Sequence, residues 1–202
     1  MSARVDKVVV PGVFSLDGQD FDVDNNVWLV GDDETVLVID APHDADPILA
    51  AVGGRTLGAI VLTHGHNDHI TAAPALREAT GAPIWFNPAD RMLWDMTHAE
   101  AAPDHDLAAG TRFTVAGTTL TALHTPGHSP GSTCLHAADL TTVFTGDTLF
   151  CGGPGATGRS FSDHPTILDS IRSELFSLHG DTVVKTGHGD DTTIAAELRN
   201  LD

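Results

Sequence analysis

The seven residues Thr63-His64-Gly65-His66-Asn67-Asp68-His69 hold four side chains able to bind a metal ion. Imidazole nitrogens and carboxylate oxygens suit zinc or iron, and such a set needs no cysteine. Zinc-binding histidines on a helix stand at i and i+4. The two-residue spacing of His64 and His66 suits an extended or looped segment instead, where alternate side chains point the same way. Asp68 and His69 then project to the other side, an arrangement able to serve two cations a few ångströms apart. Any one histidine has a bland reading as a core or surface residue. Three histidines and an aspartate within six residues do not group by chance.

Three later segments each place a ligand candidate beside glycine at the end of a predicted strand. They are His124-Thr125-Pro126-Gly127-His128-Ser129-Pro130-Gly131-Ser132, Phe144-Thr145-Gly146-Asp147-Thr148-Leu149-Phe150 and Thr186-Gly187-His188-Gly189-Asp190. Each is weak alone, because glycine-flanked Asp and His are common in turns. In this order after the first cluster they form one set.

The elements that must position these side chains follow from hydropathy and turn residues. Residues 27–30 and 35–39, joined by the polar stretch 31–34, predict a β-hairpin. Residues 59–62 predict a buried strand running straight into the first cluster. A short helix is expected over 72–80, stopped by Gly81. Strands are expected at 84–86, 113–115, 119–123, 133–136, 142–144 and 182–185. Residues 88–110 read as irregular or helical. The clearest helix covers 165–178, with Pro165 in its first turn and Leu168, Ile171, Leu175 and Leu178 on one face. Two sheets with helices outside them fit this order, in a single domain over 1–202.

Composition narrows the function classes. The 202 residues carry 28 Asp and Glu against 10 Lys and Arg, a formal charge of −18. Such a chain is a poor match for nucleic acid or an anionic membrane, both of which demand clustered basic residues. No apolar run approaches a membrane helix, and the N-terminus has no apolar leader. Two cysteines build no disulfide framework. The expectation is a cytoplasmic protein.

The run T-H-G-H-N-D-H, P-G-H-S-P-G-S, T-G-D-T-L-F, T-G-H-G resembles the metallo-β-lactamase superfamily, from the 26–40 hairpin to Thr193. Within it, residues 146–159 and 186–194 are similar to two elements of the glyoxalase II-like (hydroxyacylglutathione hydrolase-like) group. The resemblance implies an α/β fold, a four-layer αβ/βα sandwich with the site at one edge. It implies one cation on His64, His66 and His128, a second on Asp68, His69 and His188, and Asp147 bridging both. Asp40, in I-D-A-P, matches a recurrent Asp of the family that fixes a ligand or loop from behind. Zinc is the first expectation for the two divalent ions, with iron or a mixed pair as alternatives.

Two cations sharing a carboxylate and a water lower that water's pKa towards neutrality. The resulting bridging hydroxide attacks an acyl carbon, and Asp68 serves as catalytic residue by orienting it. Classical zinc β-lactamases of the superfamily commonly carry Cys near Asp147, which argues against antibiotic hydrolysis. The superfamily's nucleases usually carry an extra domain, for which 202 residues leave no room, so a nuclease is not expected. The favoured reading is therefore a thioesterase acting on a small-molecule acyl conjugate of a low-molecular-weight thiol. A single-iron persulfide dioxygenase, another metallo-hydrolase (lactone or phosphodiester) and a non-catalytic metal-binding protein are the alternatives. Having no Tyr and almost no Lys, the chain lacks the glutathione contacts of glyoxalase II, so glutathione, mycothiol or another thiol stays open. Relatives of this kind often form homodimers, but no interface patch is legible.

Arg159 is a weak candidate for substrate binding, with an ion pair to one of the acidic groups as the bland alternative. Cys134 and Cys151 are expected to be small packed residues, and His124 to make a structural hydrogen bond. His98, His105, His136, His164 and His179 are expected to be surface or structural residues.

Overall fold

The computed structural model describes residues 2–201. Strands β1 (Arg4–Leu16) and β2 (Gln19–Gly31) form a long antiparallel hairpin closed at Asp17-Gly18. The last seven residues of β2 are buried, while most of β1 and the first half of β2 are exposed or half-buried. The far end of the hairpin is therefore an arm less buried than its root, tied to the body where Asn67 bonds Val13 O and the Ser15 amide and where Asp17 accepts from the Ser160 amide. β3 (Thr35–Ile39), β4 (Thr56–Val61), β5 (Ile84–Phe86) and β6 (His105–Asp106) complete a six-stranded sheet in sequence order. β3 runs antiparallel to β2, and each later strand runs parallel to the one before it.

The second sheet holds β7 (Arg112–Val115), β8 (Thr118–His124), β9 (Thr133–Ala137) and β10 (Thr142–Gly146), all antiparallel. A small ribbon of β11 (Leu149–Phe150) and β12 (Gly153–Pro154) follows. β13 (Val183–Thr186) then joins β10 in parallel, with β14 (Thr192–Thr193) at the edge.

Three apolar layers hold the sheets and helices together. Trp28, Val30 and Ile39 of one sheet meet Leu120, Leu135 and Phe144 of the other. The outer face of the first sheet packs on α1 (Ala45–Val52), on Ile70 at the end of α2 (Asn67–Ile70), on α3 (Ala73–Thr80) and on α4 (Arg91–Thr97), through Ile48, Ile70, Leu76 and Trp94. The outer face of the second packs on α5 (His164–Ser170), a π-type turn over Ile171–Leu175 and α6 (Ile194–Leu201), through Ile167, Ile171, Leu175 and Ile194. This is the expected four-layer αβ/βα sandwich.

Several elements differ from the sequence expectation. β2 begins at Gln19 instead of 27, and β1 and α1 carry no clear periodic signature. The apolar residues of β1 run consecutively as Val8-Val9-Val10 and Val13-Phe14, so the sequence shows no apolar alternation, although in the fold Val10 and Leu16 are buried and Val9 and Val13 exposed. Asp68 and His69 lie in one helical turn, α2, with His66 as the residue before it; they are not in an extended loop. The helix expected over 165–178 begins one residue earlier, with Asp163 accepting from the Thr166 amide, and loosens into the π-type turn after Ser170. Residues 88–110 resolve into a 3-10 turn at Pro88–Asp90, α4 and β6. Cys134 is buried in β9, whereas Cys151 is exposed on the turn between β11 and β12, so it is not a packed residue. Among the described residues no helix is long and apolar enough to cross a membrane.

Candidate metal centre

The candidate ligands gather beyond the C-terminal ends of β4, β8, β10 and β13, where the backbone leaves its ladder and side chains can converge. Two tight groups result. His64 Nε2 and His128 Nε2 each lie 3.0 Å from His66 Nδ1. Asp68 Oδ2, His69 Nε2 and His188 Nε2 form a triangle with sides of 3.5, 3.3 and 3.3 Å. Asp147 joins the groups. Its Oδ1 is 3.3 Å from His69 Nε2, and its Oδ2 is 3.6 Å from His128 Nε2 and 3.5 Å from His188 Nε2. A side chain at Gly187 would run into Asp147 Oδ1 and crowd the His69 ring, which is why that neighbour must be glycine.

The remote nitrogen of several rings is engaged, which fixes the face turned to the site. His128 Nδ1 donates to Ala156 O and His188 Nδ1 to Asp24 O, both at 2.8 Å. His69 Nδ1 donates to Asp40 Oδ2 at 2.8 Å. Asp40 also accepts from the Thr63 amide and hydroxyl at 2.7 and 2.9 Å, so it ties the ligand loop to β3. Anchoring of this kind turns each Nε2 lone pair inward, as a metal-ligating histidine requires.

Charge is divided unequally between the groups. Burial and the neighbouring imidazoles push His66 down to about 3 and His64 well below its ordinary value, so both are neutral at pH 7. Burial opposes charge on His69 and His188 as well, but the carboxylates of Asp147 and Asp68 outweigh it. His69 is held well above its ordinary value and His188 rises to about 10. Burial also disfavours charge on Asp68 and Asp147, yet His69 and His188 pull Asp68 down to about 2 and Asp147 well below the carboxylate range.

The donor set fits cations. Asp147 Oδ1 is buried with no hydrogen-bond partner, an uncommon state for a polar atom. Three imidazole nitrogens crowded together, and a carboxylate facing two more, are what a divalent ion satisfies.

Among residues not singled out from sequence, Asp90 matters most for the first group. It is fully buried and accepts from the Gly65 amide at 2.8 Å, the Ser129 hydroxyl at 2.6 Å and the Gly131 amide at 2.5 Å. One carboxylate thus clamps the loop of His64 and His66 to the loop of His128. Asn25 and His43 stand behind Asp68. His124 Nε2 donates to Pro130 O and His98 Nε2 to Ile70 O, so both serve the backbone.

The site opens into a cavity of about 380 Å³ whose other walls are Phe14, Val23, Asp24, Phe150 and Ala156. The Phe14 ring meets His66 edge-on at 5.1 Å. Arg159 stands outside this cavity. Its guanidinium lies 4.4 Å over the Phe21 ring and donates to Gln19, beside Asp17 in a neighbouring depression.

The profile of the metallo-beta-lactamase superfamily matches residues 21–188. The chain belongs to the metallo-β-lactamase superfamily. This superfamily chain is 33% identical to a hydroxyacylglutathione hydrolase of Haemophilus influenzae, over 87% of its own length and 90% of the relative's. Its fold is similar to that of the B3 metallo-beta-lactamase BLEG-1, with a TM-score of 0.80 and 28% identity over 94% of this chain and 97% of that one. It is also similar to TTHA1623, solved in a di-iron-bound form, with a TM-score of 0.78 and 30% identity over 95% of this chain and 98% of that one. The superfamily membership and the histidine-rich donor set together identify a metal-binding, hydrolase-like enzyme.

Proposed function

We propose that this enzyme is a binuclear thioesterase that cleaves an acyl conjugate of a low-molecular-weight thiol. The observation that carries the reading is the pair of donor groups joined by Asp147 and open to a largely apolar cavity. His64, His66 and His128 would hold one divalent cation, and Asp68, His69 and His188 the second, with Asp147 touching both. Zinc, iron or a mixed pair suits these donors. Bound there, the cations would supply a water acidified towards neutral pH and would polarise the acyl carbonyl.

The chain's own residues do the rest. Asp68 faces the cavity, is ionised at neutral pH and orients the attacking water. Phe14, Val23, Phe150 and Ala156 bind the apolar part of the substrate and keep bulk water away. A departing thiolate is a good leaving group, because a free thiol has a pKa of about 8.5. The reaction therefore needs no dedicated acid beside the sulfur.

The rim favours a carrier other than glutathione. Lys7 donates to Gly189 O, Lys185 is paired with Asp191, and Arg159 is stacked on Phe21. No tyrosine is present. Cys134 and Cys151 are free thiols, in keeping with a reducing compartment such as the cytoplasm.

Metal analysis of protein purified without added metal, followed by a thioester panel, tests the reading. Two ions per chain and turnover of thioesters, with acyl-glutathione slower than acyl esters of less anionic thiols, are expected. One iron per chain with oxygen uptake on a persulfide would replace it. So would turnover confined to β-lactams, lactones or phosphodiesters.

A further inference from the structure

Behind the second donor group lies a hydrogen-bonded chain that the reading above does not use. Asn25 Nδ2 donates to Asp68 Oδ2 at 3.1 Å. The same nitrogen lies 3.3 Å from His69 Nε2 and 3.4 Å from His188 Nε2, so it abuts all three donors. Asn25 is fully buried and is not part of the cavity wall, so it approaches from the protein side. Its own orientation is set in turn. His43 Nε2 donates to Asn25 Oδ1 at 2.8 Å, which leaves the amide nitrogen pointing at Asp68.

His43 is held there at a cost. Its backbone is left-handed, with φ of 47°, although it is not glycine, and Asp40 three residues earlier is left-handed too, with φ of 64°. Such residues persist where the surroundings over-determine them. The outcome is that one short turn after β3 reaches two consecutive donors. Asp40 grips His69 directly, and His43 grips Asp68 through Asn25. The His43 ring lies flat against Gly12 of β1, where any side chain would collide with the ring.

We propose that Asn25 and His43 are positioning residues for the second metal position, holding Asp68 in ligand geometry and so setting the affinity of that position alone. The inference rests on the two-cation reading. Loss of such an outer partner typically weakens metal binding ~10- to 100-fold.

The test is zinc titration of the full-length metal-free protein against a chromophoric chelator, with cobalt absorption as a second readout. Wild type should take up two equivalents. Asn25→Ala should keep the first affinity and weaken the second ~10- to 100-fold, with a changed cobalt spectrum for the second equivalent only. His43→Ala should do the same to a smaller degree, and His43→Gln, which keeps an amide donor, should restore part of the loss. Gly12→Ala should copy His43→Ala by displacing the ring, without altering any side chain at the site. Unchanged second affinity in both alanine variants overturns the proposal. Equal weakening of both equivalents with a lowered melting temperature also overturns it, in favour of a merely structural role. A single equivalent in wild type overturns the two-cation reading and this inference together.

Discussion

Asp68 carries three duties at once: it sits in a donor group, faces the cavity and accepts from Asn25. Asp68→Ala should therefore remove nearly all turnover, measured as initial rate on the best thioester, and a retained rate would sink the hydrolytic scheme. The unequal charge of the two groups gives a second expectation. His69 and His188 are held protonated in the metal-free protein, whereas His64 and His66 are already neutral. Ligation requires deprotonated imidazole, so loading the second group at pH 7 should release protons from His69 and His188, whereas His64 and His66 have none to give up. A weakly buffered titration with an indicator dye reads this directly. The sign also fixes a stability trend. His188 is raised to about 10, so its contribution to the metal-free protein is complete below its ordinary pKa and is lost as pH rises through 10. The metal-free melting temperature should therefore fall as pH rises from about 6.5 to about 10 and level off above that.

Ligand loops at strand ends work only if they are fixed to one another, and Asp90 in the turn before α4 does this for the first group. Burial pushes its pKa up against the three donors that favour its charge. Asp90→Ala leaves the Gly65 and Gly131 amides unpaired in the interior, which costs about 1–3 kcal/mol for each such group. The expected result is a lower melting temperature and a first metal equivalent that is easier to remove, read by chelator competition. The clamp also shows what a sequence hides. His64, His66, Asp68 and His69 were legible because they crowd into six residues, and His128, Asp147 and His188 because glycine flanks each at a strand end. Asp90, Asn25 and His43 were not. Asn25 is 43 residues from Asp68 and Asp90 is 25 from Gly65, and nothing local marks one Asn or Asp among many. The two sheets were readable from apolar runs such as β4. The arm strand β1 and the helical turn α2 were not, because neither is decided by its own hydropathy.

At the level of the whole molecule, both sheets send donors to one centre, so metal binding and folding are linked. Asn26 of the first sheet donates to Gly187 O and Thr186 O of the second, tying the sheets together beside the site. Ligand bound at a thousandfold over its dissociation constant adds about 4 kcal/mol of stability. A chain of this size shifts by about 2–4 °C per kcal/mol. Chelation should thus lower the melting temperature by at least ~8 °C, and added zinc should restore it. A shift below ~2 °C would mean the centre is not part of what holds the sandwich together.

The β1–β2 arm has a consequence for engineering. All seven proposed metal donors come from residues 64–188, yet Phe14 and Val23 on the arm form one wall of the cavity. Part of substrate choice therefore rides on a stretch of chain outside the donor loops, with Phe150 and Ala156 supplying the rest of the apolar wall. Grafting the tip between Phe14 and Val23 from one such enzyme to another exchanges the wall while leaving the donors in place. The hairpin is a ready-made cassette for retargeting the same chemistry to a new acyl group.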